Sequence, residues 1–251
     1  VDLYSFAPIA AVLDAAYSVV TALADSLVPV AGEASTAVAI VVITLLLRLV
    51  LVPVGASQVR AEFTRRRLAP RLQELQRTYK KHPEVLQRKT MELYTSEKTS
   101  PLAGIGPTLA QAPVLSIVYG LFILPTVNEH SNGLLAESLF GANLGTSLAH
   151  VLTLGGGGSD LIVFAALLGV IATVAGASRH VAMRFAVSTG QLPATDAAPA
   201  LARVTAVLSW LPFITVVFAS LVPLAATLYL AVTTTWTLLE RVLLRRRFAR
   251  E

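Results

Sequence analysis

"TLLLRLVLVPV", residues Thr44 to Val54, is a run of aliphatic side chains with one cation, Arg48, in its middle. It belongs to a longer stretch, Ala34 to Ala56, in which Arg48 is the only charged residue. A helix needs roughly 20 apolar residues to cross about 30 Å of hydrocarbon. Residues 34–56 meet that length, so they are expected to form a membrane span that carries an arginine.

Similar stretches recur outward from this one. Residues 102–125 are free of charge and open with Pro and Gly, and 161–178 are also free of charge. Val204 to Leu239 is a charge-free stretch of 36 residues. A straight helix of that length would reach about 54 Å, too long for one crossing. Pro212 and Pro223 punctuate it, so it reads as two spans, 201–219 and 224–243, with a turn near Ser220–Pro223. The composition agrees. The 251 residues are 55% hydrophobic and 14% charged, where a soluble domain carries about 25% charged residues. The absence of cysteine rules out disulfides and thiolate metal sites.

The net charge is +5, but its distribution is more telling than its sum. Eleven of the 20 Lys and Arg lie between Arg60 and Lys98, three are Arg179, Arg184 and Arg203, and five run from Arg241 to Arg250. Residues 1–47 and 126–160 contain none. Loops rich in Lys and Arg stay in the cytoplasm. Five spans with the N-terminus outside and the C-terminus inside satisfy that rule at every loop. A four-span arrangement would put the C-terminal arginines outside. The expected fold is therefore an all-α integral membrane protein, N-out/C-in, with no cleavable signal peptide, since no basic residue precedes Arg48.

The connecting segments have their own character. Residues 1–33 are expected to hold an amphipathic helix lying on the outer surface, because Asp14, Ser18, Thr21 and Asp25 share one helix face. Residues 57–99 read as a charged cytoplasmic helical hairpin. Leu68, Leu72, Leu75 and Tyr79 form a stripe that His82–Pro83 interrupts, and Leu86, Leu93 and Tyr94 are apolar positions beyond it. Residues 126–160 are expected to be an extracytoplasmic loop in which Gly155 to Gly158 is flexible. Residues 179–200 form a cytoplasmic loop and 244–251 a basic tail. In that tail, Arg245, Arg246 and Arg247 either fix topology or touch ribosomal phosphate.

No catalytic constellation is present. Gly145-Thr146-Ser147 lacks the strand–turn–helix context of a serine nucleophile, and no HExxH, Walker or GxGxxG pattern occurs. Neither enzyme activity nor a cofactor or metal is expected. Arg48 is the functional candidate. A charge near the bilayer centre costs about 2.5–3.5 kcal/mol on insertion scales. Three readings remain: snorkelling to the headgroups, a buried ion pair, or a water-filled cavity. Snorkelling must bridge roughly 12 Å, and no Asp or Glu lies deep in any expected span, so the cavity is favoured. Other polar residues fit a cavity wall: Thr44 one turn before Arg48, Thr108, Gln111 and Tyr119 on one face of the second span, and Tyr229, Thr233 and Trp236 on one face of the fifth. Interhelical hydrogen bonding is the alternative for each of them.

Two long motifs carry a resemblance. "AIVVITLLLRLVLVPVGASQ", Ala39 to Gln58, and Leu68 to Phe122, with Met91-Glu92-Leu93-Tyr94, Pro101-Leu102-Ala103-Gly104, Pro107 and Gln111-Ala112-Pro113, resemble the YidC/Oxa/Alb family of membrane protein insertases. Pro223 to Leu230 adds a third, shorter match. Ser100, Ile105, Gly176 and Leu230 depart from the family pattern, as in a divergent paralogue. The resemblance implies a bacterial plasma-membrane insertase and chaperone. Its five spans would surround a hydrophilic groove holding Arg48, Thr44, Gln111, Tyr229 and Thr233. The partners it implies are nascent membrane proteins and the lipid bilayer, with the ribosome and Sec translocon as further candidates and no DNA. The alternative is a transporter or channel that binds an anionic solute at Arg48, although no inverted repeat is visible.

Overall fold

The computed structural model describes residues 7–100, 106, 109, 111–127, 130–188 and 207–248. Helices dominate: α1 (Ala7–Ala31), α2 (Ser35–Val50), α3 (Val52–Thr78), α4 (Pro83–Ser96), α5 (Ala112–Phe122), α6 (Leu148–Leu154), α7 (Gly158–Ser188), α8 (Leu211–Leu221) and α9 (Leu224–Phe248). Two hairpins of very short strands lie between α5 and α6: β1 (Thr126–Val127) with β2 (His130–Ser131), and β3 (Ser138–Leu139) with β4 (Ala142–Asn143). The chain divides into two compact units, 1–49 with 114–239 and 50–113 with 240–251.

In the first unit, Leu13, Val20 and Ala24 of α1 pack with Ala39 and Ile40 of α2, Leu121 and Phe122 of α5, Phe164 of α7, and Leu224 and Ala225 of α9. Asp14, Ser18 and Asp25 are exposed on the other face of α1, the amphipathic division expected from their spacing. Two helical stretches among the described residues are long and apolar enough to cross a membrane, Pro8–Val50 and Gly158–Arg184. In an apolar 18-residue window of the second, only 28% is buried inside the protein. Exposed apolar surface on that scale marks a membrane or a protein partner rather than water. Helices α5 and α8 are apolar but have 11 residues each, roughly 16 Å. The expected spans 102–125 and 201–219 extend beyond them into segments outside the described residues, as do Thr108 and much of the loop 179–200.

Several boundaries differ from the expected ones, each for a local reason. The helix of 34–56 stops at Val50, and Leu51 caps a new helix with Pro53 in its first turn. Proline has no N–H to donate, and its ring clashes with the carbonyl four residues back, here that of Leu49. Helix α7 continues past 178 to Ser188, through residues that include no Pro or Gly after Gly176. The segment 155–158 joins α6 to α7 with defined local geometry. Gly155 closes α6 at φ +76° in the left-handed region that favours glycine, and the Gly157 N–H donates to Asp160 Oδ2 at 3.0 Å.

The segment 126–147 is a cap that satisfies helix ends. The buried Asn132 donates its amide to the carbonyls of Leu121 (2.7 Å) and Leu124 (3.0 Å), at the C-terminal end of α5. At the N-terminus of α9, Leu224 N–H donates to Thr146 O at 2.8 Å and Ala225 N–H to Leu144 O at 2.9 Å. These are the backbone groups that a helix leaves without intrahelical partners. The Gly133 N–H meets the Tyr17 hydroxyl of α1 at 3.1 Å. Gly145 has a structural role here: a Cβ would stand 2.7 Å from the Leu135 carbonyl oxygen. Ser147 caps α6 by accepting from His150 N–H at 3.2 Å.

In the second unit, α3 and α4 form a hairpin with its bend between Thr78 and Pro83. Leu68 is buried, and Leu72, Leu75, Tyr79, Leu86, Leu93 and Tyr94 are half-buried. Glu97 ties the two arms by accepting from Arg67 at 2.9 Å and Arg71 at 2.7 Å. The last turns of α9 fasten to α3. Glu62 Oε1 takes Arg66 at 2.5 Å and Arg245 at 2.8 Å, and the Arg60 guanidinium lies 5.0 Å from the Phe248 ring centroid.

Candidate functional site

Arg48 stands in the last turn of α2. The stop at Val50, caused by Pro53, therefore places the cation beside carbonyls that lack intrahelical donors. A cation at a helix C-terminus gains about 0.3–1 kcal/mol from that dipole, which offsets part of the cost of its apolar surroundings. The side chain is half-buried. Its Nε donates to the Thr233 hydroxyl of α9 at 3.4 Å. No carboxylate pairs with it among the described residues.

Thr233 belongs to a threonine-rich part of α9. Its neighbours turn their hydroxyls back onto the helix: Thr234 to Leu230 O at 2.7 Å, Thr235 to Ala231 O at 2.7 Å, and Thr237 to Thr233 O at 2.8 Å. Such back-bonds satisfy a hydroxyl where water is scarce. The Thr233 hydroxyl instead faces Arg48. Tyr229, one turn earlier on the same face, is half-buried, with its ring centroid 6.1 Å from that of Phe122. Trp236, the next residue of that face, is half-buried too.

The remaining candidates have other surroundings. Thr44 is buried, and its hydroxyl donates to Ile40 O at 2.6 Å within its own helix. Tyr119 is exposed on α5. Gln111 is half-buried in the turn before α5 and belongs to the second unit. The structure thus joins Arg48 with Thr233, and Tyr229 flanks Thr233 along α9. Arg245, in the expected basic tail, has a side chain only 11% exposed and bound to Glu62. Burial holds its pKa below the ordinary arginine value, against the opposing pull of Glu62. Arg246 and Arg247 are exposed.

Two residues that pattern reading passed over hold the frame around this site. Asn132 closes α5, and Thr227, fully buried, donates to Ala219 O of α8 at 2.7 Å. Neither announces itself by periodicity. For Thr227 the one available signal is a polar residue within a long apolar run; Asn132, in the polar stretch 126–138, offers none. No group of His, Cys, Asp and Glu suited to a metal occurs among the described residues.

Comparison with known proteins adds identity to this geometry. Residues 27–251 match the family described as "60Kd inner membrane protein". The chain is 39% identical over 85 residues to the "Membrane protein insertase YidC" of Francisella philomiragia subsp. philomiragia. The same identity and length are found with the protein of that name from Francisella tularensis subsp. novicida. In both cases the aligned part is 34% of this chain and 15% of the relative.

Proposed function

We propose, because the chain belongs to the 60Kd inner membrane protein family, the YidC/Oxa/Alb group, that it is a membrane protein insertase and chaperone of the bacterial plasma membrane. It receives the polar part of a newly made membrane protein beside Arg48 and lets the apolar part pass into lipid. The observation that carries this reading is the Arg48 site itself: a guanidinium held in an apolar helix by a hydroxyl, with no carboxylate partner among the described residues.

The physics is that of a shortened path. A hydrated groove part-way across the bilayer reduces the apolar distance that a polar tail must travel. Arg48 pairs with acidic groups of the passing tail. A guanidinium already held by a protein carboxylate would be less free to do so. The substrate's apolar segment then partitions outward, favoured by about 25 cal/mol for each Å² removed from water. No covalent step is needed. In this reading five spans surround the groove, Thr44, Tyr229 and Thr233 contribute to it, and the 126–147 cap closes its outer end. Ribosome contact, if made through the tail, falls to Arg246 and Arg247, and the Sec translocon is a candidate neighbour.

Photo-crosslinking tests the site. A crosslinking residue at position 233, present while a one-span substrate is made, should capture the nascent chain more strongly than one at the exposed Ile162 of α7. Equal capture at both positions would remove the groove assignment. Anion uptake by the purified protein in vesicles, lost in Arg48→Ala, would replace insertion by transport.

A further inference from the structure

The β3–β4 hairpin turns at Phe140-Gly141, whose φ angles are +52° and +79°. Leu139 pairs with Ala142, so the loop has two residues, both left-handed. This is the type I′ arrangement that Asn-Gly or Asp-Gly suits. For phenylalanine the left-handed region is strained, because its Cβ crowds the following carbonyl. A ring held in such a conformation would be expected to pack inward. Phe140 is instead 77% exposed, so the fold gains little inside itself from this side chain.

Its surroundings suggest what the ring meets. Gly141 lies beside the start of α7, where a Cβ on it would stand 3.6 Å from Ser159 Oγ. Two and three residues further along α7, Leu161 and Ile162 begin its exposed apolar surface. Strand β3 also lies against the turn Gly32–Ala34, which follows the exposed Val28 and Val30. The tip therefore stands at the level where the lipid-facing surface of α7 begins. We infer that Phe140 is a membrane anchor. Its ring sits at the headgroup–acyl boundary at the N-terminal end of α7 and fixes the 126–147 cap to the bilayer surface. Elements that lie on a bilayer sink Trp, Phe and Leu side chains about 5–10 Å into that boundary. Residues 126–160 carry no Lys or Arg, so the contact is apolar and requires no anionic lipid.

The inference rests on α7 being embedded in the membrane, and the experiment separates the two. The chain has no cysteine, so Phe140→Cys and, separately, Ile162→Cys each place one environment-sensitive fluorophore in the full-length protein. The labelled proteins are reconstituted in vesicles of phosphatidylcholine alone. Nitroxide near the glycerol end of the acyl chain should quench the probe at 140 at least twofold, and aqueous iodide should leave it largely unquenched. Equal quenching in vesicles with added anionic lipid completes the expectation. A probe at 162 quenched by lipid nitroxide, beside one at 140 quenched by iodide alone, would overturn the anchor and leave the embedded α7 standing. Iodide quenching at both positions would overturn both.

Discussion

At the scale of the residue, what distinguishes Arg48 is its partner. A neutral hydroxyl 3.4 Å from Nε orients a guanidinium without neutralising it. The terminal nitrogens keep their positive charge and their donors. An intramolecular hydrogen bond contributes about 0.5–1.5 kcal/mol, equivalent to roughly 2–10-fold in a rate if it acts on the limiting step. Thr233→Val should therefore slow substrate insertion into proteoliposomes within that range, and Arg48→Ala should slow it more. Arg48→Lys distinguishes charge from shape: activity near that of the parent means that charge suffices, and loss equal to Ala means that the planar fork matters. Full activity of Thr233→Val beside an inactive Arg48→Ala would end the positioning role of Thr233. Arg48 is legible in the sequence because one charge in an aliphatic run stands out, and Thr233 because it shares a face with Tyr229. Whether Thr44 turns its hydroxyl to a neighbour or to its own helix is a choice of rotamer and packing. Spacing alone does not contain that choice.

At the scale of the element, the helix ends matter most, since in lipid every backbone group must find a partner inside the protein. The carbonyl of Ala219 would ordinarily accept from the N–H four residues on. That residue is Pro223, which has none. The Thr227 hydroxyl takes its place at 2.7 Å, with Pro223 O as a second acceptor at 3.3 Å. Thr227→Val keeps the shape and removes the donor, leaving a buried carbonyl unsatisfied at a cost of about 1–3 kcal/mol. The thermal midpoint of unfolding in detergent should fall, and Thr227→Ser should restore most of it. An unchanged midpoint in Thr227→Val would mean that water or another donor reaches Ala219. This also explains why the helices are legible and the cap is not. Charge-free runs and proline breaks mark helices along the chain, as at Pro53, Pro83 and Pro223. The cap of 126–147 is built from backbone carbonyls and one buried amide, Asn132, aimed at helix ends far away in sequence. Such contacts leave no periodic trace, so the segment reads as a loop until its partners are in place.

At the scale of the whole molecule, the open quantity is the number and direction of crossings. Among the described residues two stretches are long and apolar enough by themselves, and the 11 residues described in each of α5 and α8 are fewer than a crossing needs. Charge provides an independent criterion. Eleven Lys and Arg lie in 60–98 and five in 241–250, while 126–160 has none. Positive loops are retained in the cytoplasm, so five crossings put residues 80 and 246 on one side and residue 137 on the other. Glu137, Lys80 and Arg246 are all exposed, and the chain has no cysteine to confuse the result. Single cysteines at these positions should therefore sort cleanly with a membrane-impermeant maleimide. Glu137→Cys should label in intact cells whose outer barrier has been removed, and Lys80→Cys and Arg246→Cys only after the plasma membrane is opened. The position at 246 carries the decision. An even number of spans with the same hairpin placement would bring it to the side of residue 137, against the pull of Arg241, Arg245, Arg246 and Arg247. Labelling at 246 in unopened cells would thus remove one crossing from the five-span arrangement. It would also separate the last turns of α9 from α3, contrary to the Glu62–Arg245 ion pair at 2.8 Å.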